Sequence, residues 1–146
     1  MSDVLIGKQQ SLERCLARVR HAWAQSSTLP FEEDYDKQDI IVLNLQRACE
    51  QAIDMANHVV NVKKLGWPRT SGESFDLLTR AGVIPVQMAA NMKAMVGLRN
   101  VVVHQYRELD LDIVTAAIRD HLDDLSDFAR VMVAGMHDET DPEPFE

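Results

Sequence analysis

From Tyr35 to Leu65 the chain runs for about 30 residues without a glycine or a proline, and its apolar side chains recur on one side. Ile41, Leu45, Ala48, Ala52, Met55, Ala56 and Val59 follow the 3.6-residue repeat of a helix buried along one face. Gly66, Trp67 and Pro68 then stop it. A segment this long and this periodic has no place in a sheet, and nothing elsewhere alternates with the period of a strand.

Four further helical segments flank it. Leu5, Leu12, Leu16, Val19 and Trp23 give the stretch from about Asp3 to Ala24 the same period, and "SSTLPFEEDYD" breaks it. "RTSGES" is a loop in which Ser71 or Ser74 can cap a short helix, about Glu73 to Arg80, with Gly82 as its C-terminal cap. Pro85 opens the next helix at its first position, where a missing N–H costs nothing. After the turn "ELDLD", Asp110 or Asp112 caps a last helix running to about Met136. The expected fold is all-α, a four- to five-helix up-and-down bundle over residues 1–136. Residues 137–146, with two prolines and no apolar period, form an acidic tail expected to be disordered.

Charge narrows the function classes. The formal net charge is −8, which argues against a surface built for non-specific nucleic-acid binding. Five acidic residues sit in the tail, and without them the balance is 15 basic against 18 acidic residues, so a local basic patch remains open. The N-terminus lacks the basic and apolar blocks of a signal peptide, and no stretch of about 18 apolar residues exists, so a soluble cytoplasmic protein without a membrane partner is expected. Cys15 and Cys49 fall among apolar neighbours, where free thiols behave as small hydrophobes, and no Cys/His spacing resembles a zinc site.

The stretch "LRNVVVHQYRELD" departs from this pattern. On a helical wheel, Met88, Met92, Met95, Val96, Val102, Val103 and Tyr106 fall within about 60° of Arg99. Arg99 thus occupies a slot in an apolar stripe, and an unpaired buried guanidinium is costly enough to demand a carboxylate or a polar cavity. His104 lies about 140° away, beside Lys93, Gly97 and Asn100. Ala90, Ala94, Leu98 and Val101 fill the rest, which makes this helix apolar nearly all round and predicts a central position. One straight helix does not aim Arg99 and His104 at one spot. Either the helix ends or distorts near His104, or two copies build the site across a symmetric interface.

The long second helix carries a polar stripe, Asn44, Arg47, Gln51, Asp54, His58 and Asn61. It reads as a solvated face or as one wall of a cleft, with Glu50 or Asp54 balancing Arg99 and His58 continuing the stripe. An Arg paired to Glu50 or Asp54 and a His capping carbonyls would be purely structural. His21, His121 and His137 have no comparable context.

Arg-x4-His-x-Tyr, spelled "RNVVVHQY", resembles the signature of HEPN-domain proteins of the HepT type. "NLQRACEQAIDMANHVV" is similar to that family's second helix, "SGESFDLLTRAGVI" to its short third segment, and "MVGLRNVVVHQYRELD" to its core, together about residues 36 to 130. The resemblance implies a bundle that homodimerises through the motif-bearing helices and brings both chains' Arg and His into one cleft. It implies a metal-independent endoribonuclease toxin acting on tRNA or mRNA, without cofactor and not on DNA. It also implies an MntA-type nucleotidyltransferase antitoxin that adenylylates the motif tyrosine, with dimers able to assemble further with that antitoxin. By position the catalytic pair is Arg99 and His104, the supporting polar residue Asn100 and the modified residue Tyr106. The chemistry agrees independently. Cleavage by RNA's own 2′-OH needs a proton removed, a proton delivered and charge stabilised on phosphorus, tasks suited to His and to the planar fork of Arg. A non-catalytic HEPN-like module that holds a nucleotidyltransferase is the alternative, and an assembly subunit using its acidic tail is a third.

Overall fold

The computed structural model describes the backbone of residues 3–104 and 111–137, and the side chains of 3–99 and 111–136. Six α-helices make up the described residues: α1 (Asp3–Ala24), α2 (Tyr35–Val62), α3 (Ser71–Arg80), α4 (Val86–His104), α5 (Leu111–Asp120) and α6 (Leu122–His137). A 3-10 turn, Phe31–Glu33, precedes α2. No strand occurs among the described residues, and no helix among them is long and apolar enough to cross a membrane. Residues 108–110 of the expected turn and the acidic tail beyond His137 lie outside the described residues, while Leu111 and Asp112 begin α5.

The central helix is α2. It packs against α1, α3, α4 and α6, and its apolar face from Ile41 to Val60 is buried throughout. Helix α4 packs against α2, α3, α5 and α6, with one side left open in the single chain. Its Met92, Met95, Val96 and Leu98 are buried, but Ala90, Lys93, Ala94 and Gly97 are exposed on the other side. Apolar character all round a helix does not by itself imply neighbours all round. Phe75 of α3 and Phe128 of α6, both fully buried, meet edge-to-face with ring centroids 5.2 Å apart and tie the short helix to the bundle.

Several boundaries differ from the sequence expectation, each for a local reason. The last helix is two, α5 and α6, separated at His121. There the Asp124 N–H donates to the His121 carbonyl at 3.2 Å, an i→i+3 bond that tightens the turn, and the Asp124 carboxylate lies 3.0 Å from Nδ1 of His121. The α3 cap is Thr70, whose Oγ1 accepts from the Glu73 N–H at 3.2 Å. Ser74 is buried instead, its hydroxyl donating to Oδ1 of Asn57 on α2. Gly82 does cap α3, at φ +75°, with the Val83 N–H returning to the Leu78 carbonyl at 2.9 Å. Pro85 stands just before α4 and gives its carbonyl to the Ala89 N–H. α2 ends at Val62 rather than near Leu65, because Lys64 takes the left-handed conformation at φ +55° and the Leu65 N–H closes on the Val60 carbonyl.

Candidate active site on α4

Arg99 lies where the wheel places it, on the buried side of α4 in line with Met92, Met95 and Val96. It is half-buried, and its Nε is fully buried with no hydrogen-bond partner among the described residues. A buried, unpaired guanidinium N–H is rare enough in a folded protein to point to an absent acceptor. Against it stands α2. Cys49 is buried there, its thiol donating to the Met95 carbonyl at 3.5 Å. Burial pushes the Cys49 thiol up to about 12, against a downward pull from the Arg99 guanidinium and with an upward push from Glu50. Arg99 and Glu50 are therefore both electrostatic neighbours of Cys49, and Cys49 itself is locked as an uncharged packing residue.

The acidic residues expected beside Arg99 separate in space. Glu50 is half-buried and accepts from Nε2 of Gln46 at 3.2 Å. Asp54 is exposed and paired with Nζ of Lys8 on α1 at 3.1 Å. His58 is half-buried, a turn further along. The polar stripe of α2 is thus neither a uniform solvated face nor a uniform cleft wall. Asn44 is buried and donates to the Ile40 carbonyl at 2.8 Å, leaving Oδ1 without a partner. Oε1 of Gln51 is likewise buried and unpartnered among the described residues. Arg47 and Asn61 are exposed.

His104 is the last residue of α4. Its side chain and that of Asn100 lie outside the described residues, as does Tyr106 altogether. The backbone is helical up to position 104, where α4 ends, and a distortion beyond it would fall outside the described residues. The register then assigns position 104 to the side of α4 that carries Ala90, Lys93, Ala94 and Gly97, all exposed. Arg99 belongs to the closed face of the helix and position 104 to the open one.

This geometry meets a family model for HepT-like ribonucleases, which matches residues 12–132. The chain belongs to the HepT-like ribonuclease family. The mRNA nuclease HepT of Shewanella oneidensis is 42% identical over 134 residues, 92% of this chain and 99% of that one. The tRNA nuclease HepT of Aphanizomenon flos-aquae is 31% identical over 84 residues, 58% of this chain and 57% of that one. Among solved structures, the tri-AMPylated Shewanella oneidensis HEPN toxin in complex with its MNT antitoxin superposes with a TM-score of 0.85 at 42% identity, covering 92% of this chain and 99% of that one. The Bacillus subtilis cytosolic protein YutE, 18% identical with a TM-score of 0.69 over 92% of this chain and 94% of its own, shares the HepT-like fold alone. Family membership makes the chain a ribonuclease, and Arg99 at the α2–α4 contact is the described part of the Arg-x4-His-x-Tyr stretch expected from the sequence to form the site.

Proposed function

We propose that this chain is the toxin of a toxin–antitoxin pair, an endoribonuclease whose catalytic Arg99 and His104 work in a cleft between two copies. The observation that carries the reading is the division of α4. Arg99 offers an unpaired buried N–H on one face, while position 104 belongs to the other face with exposed Ala90, Ala94 and Gly97. A pair split across one helix can act on one phosphate when a second copy supplies the complement. Small side chains on the open face allow that copy's helix to approach closely.

In such a cleft the His104 of one copy takes the proton from the 2′-OH as O2′ attacks phosphorus, and the departing O5′ is protonated from solvent. The products are a 2′,3′-cyclic phosphate and a free 5′-OH. Arg99 donates to the non-bridging oxygens as charge gathers on phosphorus, with Asn100 supporting it. No metal is needed to generate the nucleophile, and DNA, lacking the 2′-OH, is not a substrate. The full-length relative is named an mRNA nuclease, which makes mRNA the first substrate to examine and tRNA the second. Tyr106, two residues after the motif histidine, receives AMP from a nucleotidyltransferase antitoxin, and the added bulk and negative charge repel substrate phosphate. The toxin works in the cytoplasm, with homodimers binding that antitoxin.

The test uses purified, unmodified protein with mRNA and tRNA in excess EDTA. Cleavage that leaves cyclic phosphate ends and disappears in His104→Ala supports the reading. Intact RNA with a well-folded dimer, or cleavage unchanged in His104→Ala, contradicts it and leaves the binding-module alternative. After co-expression with the nucleotidyltransferase, intact mass rises by one or more AMP units, and Tyr106→Phe prevents the rise.

A further inference from the structure

At the end of α2 a groove of about 560 Å³ opens between Asn57, Val60, Asn61, Lys64 and Trp67. That volume is in the range of small-molecule sites. We propose that it is a subsite for the RNA substrate, in which a base flanking the cut stacks on Trp67 and its phosphates are held by Lys64 and Arg69. The inference rests on the ribonuclease reading above and extends it to a second place on the molecule.

Trp67 is 92% exposed, whereas the chain's other tryptophan, Trp23, packs edge-to-face on Phe31 at 5.2 Å. Trp23 has a structural use, and Trp67 has none within this chain. The backbone that carries the ring is nonetheless constrained. Gly66, at φ +138°, lies so close to Leu77 that an added Cβ would come within 3.2 Å of Cδ2, and Thr70 caps the helix that follows. Pro68 fixes the backbone on the other side.

The surroundings select a nucleotide. No acidic residue occurs between Asp54 and Glu73, while Lys63, Lys64 and Arg69 do, in a chain whose formal charge is −8. Lys64 and Arg69 form no ion pair among the described residues. Lys64 also occupies the left-handed position of the α2 cap, where glycine would be unstrained, so a lysine is retained there against a conformational cost. Val60 is a buried apolar floor, and exposed Asn57 and Asn61 bring amides to base edges. An aromatic platform with cations beside it is the general means of binding single-stranded nucleic acid.

The groove also lines up with the motif. Glu50, Asn57 and Asn61 fall within about 40° of one another's mean direction on α2, and Lys64 follows two residues past its end. Glu50 and Arg99 both act electrostatically on Cys49 of α2, and Asn57 of the groove is about 10 Å beyond Glu50 along the helix axis at 1.5 Å per residue.

The experiment follows Trp67 fluorescence in full-length Trp23→Phe/His104→Ala protein, which binds without cutting, as a single-stranded oligouridylate is added. Quenching is expected, weakened by Lys64→Glu and Arg69→Glu, with a shallower salt dependence in each. In catalytically intact protein, Trp67→Ala raises KM for long RNA by about 5- to 150-fold, the range for one lost stacked base, with a smaller change in kcat, and Trp67→Phe restores it. An oligonucleotide that binds, by anisotropy, without changing Trp67 fluorescence overturns the subsite while leaving the ribonuclease reading intact. So does a Trp67→Ala protein that cuts normally but binds the nucleotidyltransferase poorly, which would make the groove a protein interface. Absence of cleavage by the unsubstituted protein would instead refute the function on which the subsite depends.

Discussion

Both faces of α4 carry mainly uncharged side chains, Lys93 on the open one and Arg99 on the closed one excepted, yet they are structurally opposite. Met92, Met95 and Val96 are buried against the rest of the bundle, while Ala90, Ala94 and Gly97, equally free of charge, are exposed. The buried face holds the fold and the open one is free for assembly. Arg99 sits on the first, and position 104 belongs to the second. The difference teaches that composition around a helix does not reveal which side is covered. A catalytic pair spread across both sides ties activity to what covers the open one.

The largest expected effect breaks either half of the pair. His104→Ala, which removes an acid–base group, lowers cleavage by about 100- to 10,000-fold, and Arg99→Ala lowers it comparably. Initial rates on one RNA check both, with circular dichroism confirming the fold. Next, Met92→Ala on the buried face costs about 2–5 kcal/mol of stability by denaturant titration, since Met92 is fully buried. Ala94→Glu on the open face sharpens the contrast. It leaves stability of the bundle within about 0.5 kcal/mol, because Ala94 is exposed, yet sets like charges across a two-fold contact. Light scattering should show monomer, and cleavage should fall with it. A dimer and full activity in Ala94→Glu would place the interface elsewhere.

The smallest effect is remote from both faces. Asp34 caps α2, and hydrogen bonds from the Ser27 hydroxyl and then the Lys37 N–H hold its carboxyl below the usual carboxylate range. A group whose pKa is lowered on folding stabilises above its unfolded pKa and loses that contribution as pH falls through its folded pKa. Asp34→Asn should therefore lower Tm slightly at neutral pH and not in strong acid, with cleavage unchanged at neutral pH. Melting curves across the acid range check it.

Much of this was legible from periodicity. The long apolar repeat of α2, the slot of Arg99 in a Met/Val stripe and the cap at Gly82 all follow from spacings within one segment. What escaped depends on contacts between segments. Asp54 looked as suitable a neighbour for Arg99 as Glu50 did, and only the approach of Lys8 on α1 separates them. The end of α2 was set by Lys64 adopting a conformation normally left to glycine, which residue type does not announce. Thr70 rather than a serine caps α3 because Ser74 is drawn into the bundle by Asn57. The one-residue break at His121 lies in a stretch whose apolar period continues undisturbed from Ile118 to Leu122 and Leu125.

The central claim is that Arg99 of one copy and His104 of another serve the same phosphate. Mixing Arg99→Ala and His104→Ala proteins under conditions that exchange subunits tests it most directly. With a site shared between copies, half of the dimers are mixed and each carries one complete site of two, so cleavage should recover to roughly a quarter of the unsubstituted level. Activity no greater than that of the two inactive proteins measured apart would contradict the claim and return both residues to a single chain.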